Sequence, residues 1–284
     1  MPSITSPSPL RNVLFVPHGS PLFALNPGAA GAAMTQVTPQ LTAPRAIVVV
    51  SPHWETAEPT VGLATQPETI HDFYGFPAPL YDLRYPATGS PQAAQEVVKA
   101  LQAHGFAVHT DAQRGLDHGA WIPLRQMFPD ADVPIVPLSV QSHAGPAHAY
   151  RVGQALAGLA VQNIWVLASG NVTHNLGDLR LARMQGDRTP AYVQVFADWL
   201  AKHLAQGDLA SLLNYRQLSP EGVRAQPSEE HLLPLFTALG AAGPQAVPQA
   251  FYRGISDSVI AMDGYVFLNP PVLNDPTDRP PRAP

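Results

Sequence analysis

The 284-residue chain is 45% hydrophobic and only 13% charged, with a formal net charge of −5. That balance supplies a core for one sizeable domain and leaves no basic footprint for nucleic acid or an anionic membrane surface. Cysteine is absent, which excludes disulfides, thiolate zinc sites, iron–sulfur clusters and a cysteine nucleophile, so any bound metal must be held by nitrogen and oxygen.

The N-terminal Met1-Pro-Ser-Ile-Thr-Ser-Pro-Ser-Pro9 lacks the basic and apolar regions of a signal peptide, and nowhere do about 18 apolar residues run uninterrupted. A soluble, cytoplasmic protein acting on a small molecule is the expectation. Residues 1–10 read as a disordered lead, 11–269 as one folded domain, and 270–284 as a Pro-rich tail with little to pack.

In chain order, Val13 to Pro17 reads as a buried strand running into the tight turn His18-Gly19-Ser20-Pro21. Gly28 to Gln36 is alanine-rich enough to start a helix. Arg45 to Glu55 carries a β-branched run closed by Ser51-Pro52, delivering His53 at the strand end where ligands sit in open α/β sheets. Thr60 to Ala64 adds a short strand. Gln66 to Pro86, rich in proline, glycine and aromatic residues with no sustained period, reads as a wall of a pocket. Ser90-Pro91 opens a helix that stops at Gly105, and Val108 to Thr110 is a short strand.

The stretch Arg114-Gly-Leu-Asp-His-Gly-Ala-Trp121 places His118 in a glycine-flanked turn leading to a helix that ends near Phe128. Val133 to Val140 reads as a strand despite its prolines. Helix Gly145 to Leu159, strand Ile164 to Ala168 with a loop carrying His174, and the amphipathic helix Pro190 to Gln206 follow. A serine cap at Ser228, acids after it and a stop at Gly240 predict a helix whose first turn holds His231, with the positive end of the helix dipole opposing its protonation. Ala250 to Gly254 and Ala261 to Leu268 are expected to pair antiparallel across a short turn. This alternation predicts an α/β fold, a single three-layer α/β/α domain around a central mixed, mostly parallel sheet.

Eleven histidines are present. His104, His203, His109, His143 and His148 stand in ordinary structural contexts, and His71 lies in the aromatic loop, within reach of a substrate. His18, His53, His118, His174 and His231 each stand beside Gly, Ser, Pro or a helix start, where an element's end would aim them into one cleft. Neutral imidazole is the commonest nitrogen ligand for Zn, Fe and Cu, and a mononuclear site with open positions needs about three protein ligands, which leaves one or two histidines for proton transfer. Glu55, Asp72 and Asp117 lie close enough to react or to orient these histidines. Phe73, Tyr74, Phe76 and Trp121 are candidates for an aromatic lining. Gly19-Ser20-Pro21 lacks the nucleophile-elbow pattern of a serine hydrolase.

Six motifs in order, His18-Gly-Ser-Pro, Ser51-Pro-His-Trp-Glu, His71-Asp-Phe-Tyr-Gly-Phe-Pro, Arg114-Gly-Leu-Asp-His-Gly-Ala-Trp, Ser169-Gly-Asn-Val-Thr-His-Asn-Leu and Glu230-His-Leu-Leu-Pro-Leu, resemble the DOPA-dioxygenase group of LigB-type class III extradiol ring-cleaving dioxygenases. The resemblance covers Val13 to Leu268. It implies a catalytic domain over 11–269 and one divalent metal ion on His18, His53 and His231. It implies His174 as acid/base, close enough in some members to count as a fourth ligand, and His118 contacting the substrate hydroxyl and dioxygen. The wider class usually has a carboxylate as third ligand where this chain has His231.

The implied reaction opens a catechol, DOPA-like or another small aromatic diol, with O2, and His71, Tyr74, Phe76 and Trp121 are the expected substrate-binding residues. Fe(II) is the expected metal because dioxygen activation needs a redox-active ion, while Zn(II) suits the same nitrogen set. Two other readings stand beside it: a zinc-dependent hydrolase in which the metal activates water, and a metal-binding protein with a closed structural site.

Overall fold

The computed structural model describes residues 12–268; the lead expected over 1–10 and the tail expected over 270–284 lie outside the described residues. Its strands are β1 (Val13–Pro17), β2 (Ala46–Glu55), β3 (Thr60–Gly62), β4 (His109–Asp111), β5 (Ile135–Val140), β6 (Ile164–Gly170), β7 (Val247–Tyr252), β8 (Ile255–Ser256), β9 (Ile260–Ala261) and β10 (Gly264–Leu268). The α-helices are α1 (Gly28–Val37), α2 (Pro79–Asp82), α3 (Pro91–Ala103), α4 (His118–Met127), α5 (Gly145–Val161), α6 (Leu176–Met184), α7 (Ala191–Ala205), α8 (Leu209–Leu213), α9 (Tyr215–Leu218), α10 (Gly222–Ala225) and α11 (Leu233–Ala242).

Eight strands form one sheet in the order β4-β3-β5-β2-β6-β1-β10-β7, and β8 with β9 makes a separate small hairpin. Its centre, β5-β2-β6-β1, is parallel. Three antiparallel joins, β3 to β5, β10 to β1 and β7 to β10, make it mixed, as the alternation predicts. Every residue of β1 and β6 is buried, as are the first seven of β2, the mark of strands covered by helices on both faces. One layer is built from α3, α5 and α11, and α1 with α4 forms another, α4 lying against β2 and β6.

The α5–α11 contact brings backbone against backbone. A Cβ at Gly153 would fall 2.0 Å from the Thr237 carbonyl oxygen, and one at Gly240 2.0 Å from that of Tyr150. In β5, Pro137 sits opposite Val49 inside the sheet, where proline is rare. It is tolerated because β3 meets β5 at one register pair, Val61 with Leu138, and Gly62 leaves the space its ring fills.

Three local expectations shift. The last long helix starts at Leu233 rather than near Ser228, because Pro234 lacks an N–H and its ring would clash with a helical carbonyl at position 230. His231 therefore sits in a turn ahead of α11, and Ser228 bonds Glu230 instead of capping the helix. His118 is the first residue of α4 and not part of the preceding turn, since Asp117 caps that helix through the Ala120 N–H. The C-terminal antiparallel pair is joined by the β8–β9 hairpin rather than a short turn. The helices α2, inside the stretch expected to lack a regular element, α6 and α8 to α10 add to the expected elements. No helix of the described residues is long and apolar enough to cross a membrane.

Candidate metal centre

The C-terminal ends of the central parallel strands converge on one cluster of histidines. His18 follows β1, His53 stands near the end of β2, and His174 lies in the loop after β6; His118 and His231 arrive from the start of α4 and the turn before α11. One ring nitrogen from each of His18, His53 and His231 lies within 4.8 Å of the others. His118 rests 4.0 Å from the His53 ring, and His174 stacks on His231 at 3.4 Å with an 11° interplanar angle.

The orientation of His18 follows from a proline. Pro123 sits inside α4 and has no N–H to give the Gly119 carbonyl one turn earlier. That carbonyl accepts the Ser169 hydroxyl proton instead. With its single proton committed, Ser169 Oγ can only accept from His18 Nδ1, 3.0 Å away. The Nδ1–H tautomer is thereby fixed, and the lone pair of His18 is left on Nε2, 3.3 Å from His53 Nε2.

Asp72 does the same for His118. One carboxylate oxygen accepts the His118 backbone N–H at 2.8 Å and the other its Nδ1–H at 2.9 Å, so Nε2 is the nitrogen left for the site. Burial pushes the Asp72 carboxyl up, but the hydrogen bonds and charge of His118, with a smaller contribution from His53, outweigh it and hold it at about 2. Beneath His53, the buried Asp117 accepts from Ser51 at 2.6 Å and from Arg114, whose guanidinium lies over the Trp54 ring. Burial raises the Asp117 carboxyl, with Arg114 opposing.

Glu230 takes the Nδ1–H of its neighbour His231 at 2.9 Å. The opposite nitrogen, His231 Nε2, is buried and has no hydrogen-bond partner. Burial drives His18 and His231 well below the ordinary imidazole range, and the surrounding histidines add to the effect. Burial, then the His118 charge, lowers His53 to about 3, with Asp72 opposing, and burial lowers His174 to about 4 with Glu230 opposing. All four are neutral at pH 7, the state in which imidazole ligates a metal or accepts a proton.

These nitrogens fit a metal ion. A buried ring nitrogen without a partner is costly, and His231 Nε2 is one beside two lone-pair positions held by other histidines. The 3.3 Å between the Nε2 atoms of His18 and His53 is what two nitrogens, each about 2.1 Å from one ion, would show.

The five clustered histidines are thus brought together. Among the expected substrate-binding residues, His71 bonds the Leu83 carbonyl and meets the Phe73 ring at 5.6 Å. Phe76 meets the other side of Phe73 at 5.4 Å, and Phe73 in turn touches His118 at 5.7 Å. Tyr74 is 89% exposed, and Trp121 is fully buried, its indole N–H donating to the Ile70 carbonyl. Glu55 bonds Ser142 and not a histidine. The orienting parts played by Ser169 and Glu230 are not expected from the sequence, although both lie inside its motifs; a polar residue ending an apolar strand and an acid next to a candidate ligand are the signals available.

The pattern of the family described as "Catalytic LigB subunit of aromatic ring-opening dioxygenase" matches residues 14–263. A 4,5-DOPA dioxygenase extradiol of Beta vulgaris is 35% identical over 264 residues, spanning 92% of this chain and 97% of that protein. One from Escherichia coli K12 is 41% identical over 233 residues, 80% of this chain and 84% of its own. The crystal structure of an uncharacterized protein from Escherichia coli K12 superposes with a TM-score of 0.75 at 32% identity, covering 90% of this chain and 99% of that one. With the histidine cluster at its strand ends, the chain belongs to the LigB family and is an aromatic ring-opening dioxygenase.

Proposed function

We propose that the chain opens the ring of a catechol in the extradiol manner, breaking a carbon–carbon bond beside the two hydroxyls while both atoms of O2 enter the product, with DOPA or a similar small diol as substrate. The observation that carries the reading is the set of three neutral histidine nitrogens, one of them buried without a partner. His18, His53 and His231 hold the metal, expected to be Fe(II). Bound there, the metal would supply the redox-active chemistry that dioxygen activation needs.

The chain's own groups do the rest. His174 is neutral, stacked on His231 and near Glu230, so it can take a proton from the diol and return it to the product, the nearby carboxylate favouring the imidazolium in between. His118, its Nδ1–H held by Asp72, stabilises negative charge that develops on oxygen when its Nε2 also carries a proton. Phe73 and Phe76 supply apolar surface on the His118 side. Family membership lends no support to the zinc-hydrolase alternative.

The test is oxygen uptake, with absorbance of the ring-opened product, on protein stripped of metal and reloaded separately with Fe(II) and Zn(II), over a catechol panel that includes DOPA. Uptake and product with iron alone are expected. Equal turnover with zinc, or no uptake by folded, iron-loaded protein with any diol, would overturn the proposal.

A further inference from the structure

Asn171 lies fully buried on the loop leaving β6, between two of the proposed ligands, and the direction of its amide is determined. The Gly19 N–H donates to Asn171 Oδ1 at 3.0 Å; a backbone N–H can only donate, so that end is the oxygen. The other end, Nδ2, is 3.1 Å from His18 Nε2. The backbone is held as firmly: Asn171 N–H donates to the His231 carbonyl at 3.0 Å, and Gln226 Nε2 donates to the Asn171 carbonyl at 2.8 Å.

His18 Nε2 carries a lone pair, because the ring proton sits on Nδ1 against Ser169. Asn171 thus donates into the lone pair through which His18 holds the metal in the reading above, on which this argument rests. One lone pair serves one partner. Once His18 Nε2 is committed to the metal, a fully buried N–H loses its acceptor, and such a donor is costly to leave unmade. It cannot swing away, since Gly19 keeps the oxygen end and Gln226 and His231 keep the backbone.

We infer that Asn171 is a further catalytic group of the centre, its amide N–H donating to an anionic oxygen of the diol that enters beside His18. A neutral donor aimed at a charged oxygen among buried groups makes a strong hydrogen bond. This gives the pocket a fixed, non-titrating donor beside its histidines.

The test uses the full chain loaded with zinc, which does not turn over, and 4-nitrocatechol, whose visible band reports its ionisation. Asn171→Asp keeps an oxygen for Gly19 but replaces the donor by an acceptor, whereas Asn171→Ala removes both. Bound zinc and melting temperature are measured on the same samples. The inference expects both variants to hold a full equivalent of zinc and to bind the probe at least ~10-fold more weakly than wild type, with less of it deprotonated. Wild-type binding by Asn171→Asp would reduce the amide to a support for Gly19, and wild-type binding by Asn171→Ala would leave only the added charge to explain a weak Asn171→Asp; either overturns the inference. If Asn171→Ala fails to fold, the neutral Asn171→Ser, whose short side chain cannot hold Gly19 and reach the His18 side at once, takes its place beside Asn171→Asp and is read by the same outcomes. A wild-type chain that holds no zinc would overturn the three-histidine reading and this inference with it.

Discussion

Changing Ser169 to alanine should damage the centre without touching a metal ligand. The hydroxyl serves two buried groups at once, donating to the Gly119 carbonyl and accepting from His18 Nδ1. Each group left unpartnered costs roughly 1–3 kcal/mol, so the metal-free variant should lose about 2–6 kcal/mol of stability. His18 also loses the bond that fixes its tautomer, and removal of such an orienting partner typically lowers metal affinity about 10- to 100-fold. Adding Pro123→Ala restores a helical N–H to Gly119 and nothing to His18. Pro123→Ala should therefore stabilise the Ser169→Ala protein by about 1–2 kcal/mol more than it stabilises wild type, while the affinity loss persists. Urea unfolding of the four metal-free proteins gives the first quantity, and chelator competition for zinc the second. Additive stabilities, a Ser169→Ala protein with wild-type zinc affinity, or recovery of zinc binding in the double variant would refute the chain of bonds from Pro123 to His18.

His174→Ala should keep its metal, measured by elemental analysis, and lose at least ~100-fold in turnover, as loss of a general base does; loss of metal with activity would make His174 a ligand instead. Gly240→Ala should cost about 1–3 kcal/mol in urea unfolding, because its methyl would meet the Tyr150 carbonyl oxygen at 2.0 Å and force α5 and α11 apart; unchanged stability would deny the close approach. The metal-free protein should be acid-labile. His18, His53, His174 and His231 have folded-state pKa values below the usual 6.5, so below pH 6.5 the unfolded chain takes up protons that the folded chain refuses. Stability is then complete above about pH 6.5 and falls as pH drops, by on the order of 1.4 kcal/mol per pH unit for each histidine, the His174 contribution levelling near 4 and that of His53 near 3. A melting temperature that stays level between pH 7.5 and 5 would contradict this.

The parallel centre of the sheet was legible because β1, β2 and β6 are near-continuous apolar runs, and their ends pointed to His18, His53 and His174 because polar turn residues break those runs abruptly. His231 was legible as a site residue and misplaced in its element: Ser228, Glu229 and Glu230 look like a helix cap, and Pro234 vetoes the helix sterically. The division of labour among the histidines was out of reach of spacing. It depends on which ring nitrogen each partner occupies, and Ser169 reaches His18 across 151 residues of chain while Asp72 reaches His118 across 46. Trp121 shows the limit for aromatic residues, since residue type does not separate a pocket wall from a fully buried strut whose indole holds Ile70.

The pairing of β10 with β1 sets the order in which the protein can be made. Val13 finds its antiparallel partner in Phe267, so a chain leaving the ribosome exposes one edge of an entirely apolar strand until almost all of it has been synthesised. A product truncated after Met262 would carry all five clustered histidines yet leave that edge open, a template for pairing with another chain. Soluble expression should therefore fail on loss of β10 well before any chemical group of the centre is removed.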